Sequence, residues 1–73
     1  MAVTPGNFRA YAGMAEVEAS RGAIDTAIAD YQEALRLAPD NGELHVNLGL
    51  LYAQQNRVAE AGASFERALQ LER

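Results

Sequence analysis

Apolar residues recur every three or four positions along four stretches of this chain, which is the spacing of one face of an α-helix. In the second stretch the pattern runs through Ala27, Tyr31 and Ala34, and it returns in the fourth. Segments that contain Pro, Gly or Asn separate the stretches. The pattern therefore predicts an all-α chain of four short helices.

Residues with strong backbone preferences mark the ends of the first predicted helix. It is expected to begin near Pro5 or Asn7, with Thr4 as a candidate N-cap, because proline costs nothing at the first helical position. It is expected to end near Arg21, because Gly22 can adopt the left-handed conformation that stops a helix.

A proline separates the second and third predicted helices. The second is predicted over residues 24–37, because Pro39 cannot continue a helix and biases the residue before it away from helical backbone. The third begins after Asp40 and Asn41. Asp40 and Glu43 have the spacing of a capping box, in which the cap side chain and a carboxylate three residues later satisfy unpaired N–H groups. We therefore expect Asp40 to cap the third helix.

The sequence repeats itself after 34 residues. Eight residues are identical when residues 5–39 are compared with residues 39–73. The identical pairs are Pro5/Pro39, Asn7/Asn41, Ala19/Ala53, Ala27/Ala61, Ala29/Ala63, Ala34/Ala68, Leu35/Leu69 and Leu37/Leu71. Asn56 is the counterpart of Gly22 and is expected to end the third helix in the same left-handed conformation. A fourth helix is then predicted from about Val58 to near the C-terminus.

Small and large side chains alternate on the predicted core faces. Tyr11, Met14 and Ala15 share one face of the first helix. Gly49 lies where a larger residue would hold two helices apart, and the ring of Phe65 is expected to fill the adjacent gap. Small residues against large ones are how antiparallel helices interlock.

The repeated motif resembles the tetratricopeptide repeat (TPR), a 34-residue pattern of W-x2-L-G-x2-Y, then A-x3-F, then P. The second repeat carries it as His45-x2-Leu48-Gly49-x2-Tyr52, then Ala61-x3-Phe65-x2-Ala68. The first repeat carries it as Tyr11-x2-Met14-Ala15-x2-Glu18, then Ala27-x3-Tyr31-x2-Ala34, then Pro39. The resemblance implies an α-solenoid of two helix-turn-helix units, with four antiparallel helices in right-handed superhelical stacking. It divides the chain into the tail of a preceding repeat (1–7), a first repeat (8–41) and a second repeat (42–73).

The residue content argues against catalysis and against a bound cofactor. The chain has one His, no Cys and two Ser, so no nucleophile, base and orienting group can be assembled. His45 has no second ligand on its helical face with which to hold a metal ion. The six glycines are scattered and do not form a phosphate-binding loop. We therefore predict a protein that is not an enzyme and that uses no cofactor or metal.

Charge and hydropathy narrow the class of partner. Ten acidic residues oppose six basic ones, and the net charge of −4 disfavours nucleic acid. Every basic residue is Arg, which we interpret mainly as genomic base composition and secondarily as an indication of a bacterial source. No apolar run approaches the ~20 residues of a membrane span. The N-terminus lacks the features of a signal peptide, which favours a cytoplasmic location.

The resemblance also implies a binding surface. In TPR proteins partner peptides lie along the concave side, which the first helix of each repeat lines. The matching positions in this chain are Arg9, Ala12, Gly13, Glu16, Ala19, Glu43, Val46, Asn47, Leu50 and Gln54. Family members often use Asn at the Asn47 position to bind a peptide backbone, while Val46 and Leu50 could seat an apolar side chain or an amphipathic helix. Ordinary helix packing and a solvated face are the alternatives. The implied function is a non-catalytic scaffold for a protein or peptide partner.

Two repeats leave an apolar face without a covering helix. The outer face of the fourth helix is expected to expose parts of Val58, Ala61, Phe65 and Leu69. Terminal repeats normally need a polar outer face for solubility. The alternative functions are therefore a small protein that forms homo-oligomers through Val58, Phe65 and Leu69, or a regulatory fragment of a larger protein. Exchange of helices between chains would use residues 39–42 as its hinge.

Overall fold

The computed structural model describes residues 7–71, which form four α-helices and no strand. The helices are α1 (Phe8–Ser20), α2 (Ile24–Leu37), α3 (Gly42–Gln54) and α4 (Val58–Leu71). Each helix packs chiefly on its neighbours in the chain, so that α1 and α2 form one hairpin, α3 and α4 form another, and α2 joins α3. The predicted all-α fold of two helical hairpins is confirmed. Within residues 7–71 no helix is long and apolar enough to cross a membrane.

The N-termini of α1 and α3 are capped by asparagines that the repeat makes equivalent. The Asn7 side chain accepts a hydrogen bond from the backbone N–H of Arg9 at 3.1 Å, and the Asn41 side chain accepts one from Leu44 at 3.2 Å. The expected capping box at Asp40 is wrong, because α3 begins at Gly42 and Asn41 directly precedes it. An asparagine oxygen supplies the acceptor that an N-cap needs. The other expected cap, Thr4 with Pro5, lies outside the described residues.

The C-terminal ends of α1 and α3 confirm the predicted left-handed stops. Gly22 has a φ of +87° and Asn56 a φ of +62°. In each turn the N–H of the following residue donates back into the helix, from Ala23 to the Glu18 carbonyl at 2.8 Å and from Arg57 to the Tyr52 carbonyl at 2.9 Å. These bonds satisfy carbonyls that the end of a helix leaves unpaired.

Close packing between the helices depends on small residues. Ala15, Ala27 and Ala34 expose no surface at all. The predicted contact of Gly49 with Phe65 is confirmed, because a Cβ added at Gly49 would lie 2.7 Å from Cε1 of the Phe65 ring. An alanine at that position would force the ring or one of the helices to move. The second hairpin therefore packs around this glycine without room for a Cβ atom.

Two expectations about exposure are wrong. Met14 does not lie in the core with Ala15, since half of its surface (50%) is exposed. Its counterpart Leu48 is only 5% exposed, because α2 covers α3 on a side that no helix of residues 7–71 covers in α1. On α4, Ala61 is buried in the hairpin rather than displayed on the outer face. Phe65 is half-buried there.

Candidate partner-binding groove

A hollow of about 360 Å³ lies between the N-terminal halves of α1 and α3. We call this hollow the α1–α3 groove. Its lining consists of Phe8, Arg9, Ala12, Gly13, Glu16, Asn41, Glu43, Leu44 and Asn47. Small residues on α1 create the space, since a Cβ added at Gly13 would meet no atom within 4 Å.

The groove brings together most of the residues that the sequence assigned to partner binding. Six of the ten residues assigned there line it, namely Arg9, Ala12, Gly13, Glu16, Glu43 and Asn47. The other four, Ala19, Val46, Leu50 and Gln54, do not line it. Val46 is half-buried, whereas Leu50 and Gln54 are exposed further along α3. The groove is therefore shorter than the helical face that the sequence predicted.

Three lining residues were missed by the sequence. Phe8 and Leu44 lie in the first turns of α1 and α3, and Asn41 is the cap of α3. The identity of Asn7 and Asn41 in the repeat was the signal that could have placed both helix starts side by side. Assigning the cap to Asp40 obscured it.

The hydroxyl of Tyr31, on α2, lies close to groove residues from both α1 and α3. Burial raises the pKa of this hydroxyl, and the carboxylates of Glu16 and Glu43 raise it further, while a hydrogen bond with the Asn47 side chain lowers it. Glu16 on α1 and Glu43 on α3 thus both raise the pKa of the Tyr31 hydroxyl. The Asn47 amide has two donors and an acceptor, so it can pair with both the N–H and the C=O of a peptide group in the groove.

The groove carries one cation and two anions. The Arg9 guanidinium lies 6.0 Å from the centre of the Phe8 ring, which is the limit of a cation–π contact. Glu16 and Glu43 line the groove and are both exposed, with Glu43 in the first turn of α3. This combination offers hydrogen-bonding and charged groups to a peptide, and the lining includes no Ser, Thr, Cys, Lys or His side chain.

The one His and the two Ser of the chain are held in local contacts or buried. The Nε2 atom of His45 lies 3.2 Å from the Pro39 carbonyl oxygen, in hydrogen-bond contact. The Ser20 hydroxyl donates to the Val17 carbonyl at 2.7 Å, and Ser64 is buried. Among residues 7–71 no three His, Cys, Asp or Glu side chains are grouped so that they could hold a metal ion.

A pair of carboxyl groups meets between α1 and α2, outside the groove. A hydrogen bond with the Asp30 side chain raises the pKa of Glu18, and desolvation and the charge of Asp30 raise it further. Two carboxyl groups can share that bond only if one of them carries a proton. When both are ionised, Glu18 Oε1 and Asp30 Oδ2 are buried without a partner. The second repeat avoids this cost, because Tyr52 stands at the position of Glu18 and accepts from Gln32 at 2.9 Å.

Family models match this repeated architecture. A model described as TPR repeat matches residues 15–56, more than half of the chain. The chain belongs to the TPR family. A second model, described as tetratricopeptide repeat, matches residues 42–73. No curated protein matches the sequence of this TPR chain. TPR repeats are generally protein-interaction modules and are typically non-catalytic.

Proposed function

We propose that this TPR chain is a non-catalytic scaffold that binds a peptide or helix of a partner protein in the α1–α3 groove. The observation that carries the proposal is the lining of the groove. Asn47, Glu43 and Glu16 face an open space that Gly13 and Ala12 leave unfilled. An amide beside an open channel can pair with the backbone of an extended peptide, and the flanking charges select its side chains.

The groove is tested by selecting a ligand and then filling the space. Peptides are selected from a random phage-displayed library against the intact chain, and the best binder is titrated while backbone amide shifts are recorded by NMR. We expect the largest shifts at Ala12, Gly13 and Asn47. Substitution of Gly13→Leu should weaken binding at least about tenfold, the equivalent of 1.4 kcal/mol, because the new side chain occupies the hollow. Asn47→Ala should weaken it by a similar factor, since a peptide group is left unpaired.

Ala29→Leu is the matched control, because Ala29 is exposed on α2 and does not line the groove. It adds the same kind of side chain to the same fold and should leave the affinity unchanged. Shifts concentrated elsewhere, or equal affinities for Gly13→Leu and Ala29→Leu, would remove the assignment of the groove.

Self-association is the second candidate function, and exposed apolar surface on α4 supports it. Val58 is 74% exposed and Leu69 is 65% exposed. Fully burying a side chain of this size contributes about 1.5–3 kcal/mol. Small domains have total stabilities of only about 5–15 kcal/mol, so covering this face would be a substantial gain. Light scattering after size exclusion tests it, and a mass that stays at one chain at every concentration would exclude it.

A further inference from the structure

The contact between α2 and α3 shows how one hairpin of this chain covers the next. Leu35 of α2 and Leu48 of α3 border one shallow apolar hollow, whose remaining lining includes residues of α4. Gln32 of α2 donates a hydrogen bond to the hydroxyl of Tyr52 on α3 at 2.9 Å. Further along, Gln55 donates to the Asp25 carboxylate at 2.7 Å. The α2–α3 junction is therefore an interface between repeats that already exists within the chain.

The 34-residue repeat places the same kind of surface on the two outer helices, where no helix of the described residues 7–71 covers it. The junction positions of α2 correspond on α4 to Val58, Gly62, Phe65 and Leu69, which we call the α4 face. The junction positions of α3 correspond on α1 to Ala10, Met14 and Val17, which we call the α1 face.

Each residue of the two outer faces is more exposed than its counterpart at the α2–α3 junction. Val17 is 52% exposed, whereas Leu51 at the same repeat position is 4% exposed. The same contrast distinguishes Met14 from Leu48. Since α1 and α3 each have a hairpin partner, this difference arises from the presence of α2 beside α3. The α1 face is thus the surface that an α2-like helix covers.

We propose that the α4 face of one copy of this chain docks on the α1 face of a second copy, in the register of the α2–α3 junction. This inference rests on self-association, the second candidate function, and names the two surfaces that meet. A hollow of about 470 Å³ over the α1 face, which Met14 and Val17 help to line, leaves room for side chains of the docking helix. The two faces differ, so the contact is heterologous and adds copies in an open row rather than closing a dimer.

The contact between the α4 face and the α1 face is weaker than the α2–α3 junction, although it has the same register. Gly62 stands at the position of Ile28, and Ala10 at the position of Leu44, so both faces are flatter. The hydrogen bond between Gln32 and Tyr52 has no equivalent, because Glu66 and Glu18 occupy those positions. We therefore expect reversible association that grows with concentration.

Complementation between two blocked variants tests the pairing of the faces. Val17→Glu blocks the α1 face and Leu69→Glu blocks the α4 face, and both residues are exposed enough for the fold to tolerate a charge. Each variant alone should associate at least about tenfold more weakly than the wild type, because a charge is desolvated in the contact. An equimolar mixture of the two keeps one intact face of each kind. We expect it to form a complex of two chains and no larger species in sedimentation velocity experiments.

Ala63→Glu is the control, since Ala63 and its counterpart Ala29 are both exposed although α3 covers α2. It should associate like the wild type. A wild-type chain that stays monomeric overturns both self-association and this inference. If Val17→Glu still forms dimers alone and Leu69→Glu does not, the contact joins two α4 faces, so self-association stands and the head-to-tail pairing is overturned. Loss of association in Leu50→Glu, with Val17→Glu unaffected, would place the contact on the exposed side of α3 and also overturn the pairing.

Discussion

The substitution Gly49→Ala should destabilise this protein even though alanine is the better helix former. Gly49 lies in the interior of α3, where replacing glycine by alanine normally contributes about 1 kcal/mol of stability. Here the new methyl group would lie 2.7, 2.9 and 3.1 Å from Cε1, Cδ1 and Cζ of Phe65. Overpacking of this kind typically costs about 1–3 kcal/mol.

The first repeat helps to place the cost within that range. Ala15 occupies the position of Gly49 and Tyr31 the position of Phe65, so this fold can seat a ring beside a methyl group. Phe65 is only half-buried and has some freedom to move. We therefore take the middle of the range, about 2 kcal/mol, which leaves a net loss of about 1 kcal/mol. For a chain of this size, about 1 kcal/mol lowers the Tm by roughly 4–8 °C.

Thermal and urea unfolding followed by circular dichroism measure the effect, with Gly13→Ala as the matched control. Gly13 also lies inside a helix, but a Cβ there meets nothing within 4 Å, so this variant should gain about 1 kcal/mol. In a Phe65→Leu background the ring is absent, and Gly49→Ala should become stabilising. If Gly49→Ala raises the Tm as much as Gly13→Ala does, the proposed clash with Phe65 is refuted.

Three further predictions concern caps, turns and pH. Asn41→Ala should lower the free energy of unfolding by about 1 kcal/mol in urea, whereas Asp40→Ala should change it little. Equal losses in the two variants would contradict the assignment of Asn41 as the N-cap of α3. Gly22→Ala should cost about 1 kcal/mol in the same assay, because alanine is strained at a φ of +87°, and an unchanged midpoint would contradict this. Glu18→Gln should raise the Tm at neutral pH, because glutamine can donate to Asp30 without a proton from solvent. Since folding raises the pKa of Glu18, its stabilising contribution is present below pH 4.5 and is lost as the pH rises through the folded value. The advantage of Glu18→Gln should therefore shrink as the pH falls toward 4.5, and a gap that stays constant with pH would refute the role of that proton.

The sequence predicts the helices well because their ends depend on local backbone chemistry. Gly22 and Asn56 tolerate the left-handed conformation and Pro39 cannot continue a helix, so the stops could be predicted without knowledge of the packing. The cap of α3 was wrong because Asp40 and Asn41 are both good caps, and local chemistry alone does not choose between adjacent candidates.

The extent of the groove and of the core could not be predicted in the same way. A repeat pattern assigns a residue to a helical face, but it does not say whether another helix lies opposite that face. Met14 has the sequence environment of a core residue and is exposed because nothing covers α1 there within residues 7–71. Leu50 likewise shares the helical face of Asn47 but lies beyond the hollow that Gly13 leaves open. In both cases the tertiary packing around the residue decides whether it is buried or lines the hollow.

The arrangement in which each helix packs chiefly on its neighbours has a consequence for how the chain folds and opens. Contacts that are local in sequence favour fast folding, and in repeat proteins folding can nucleate in either hairpin and propagate to the other. The inner helices α2 and α3 are covered on two sides, whereas α1 and α4 are each held chiefly by one partner within residues 7–71. Amide hydrogens of the outer helices should thus exchange with solvent by partial openings that leave the inner pair intact. Partial unfolding of this chain is therefore expected to begin at α1 or α4.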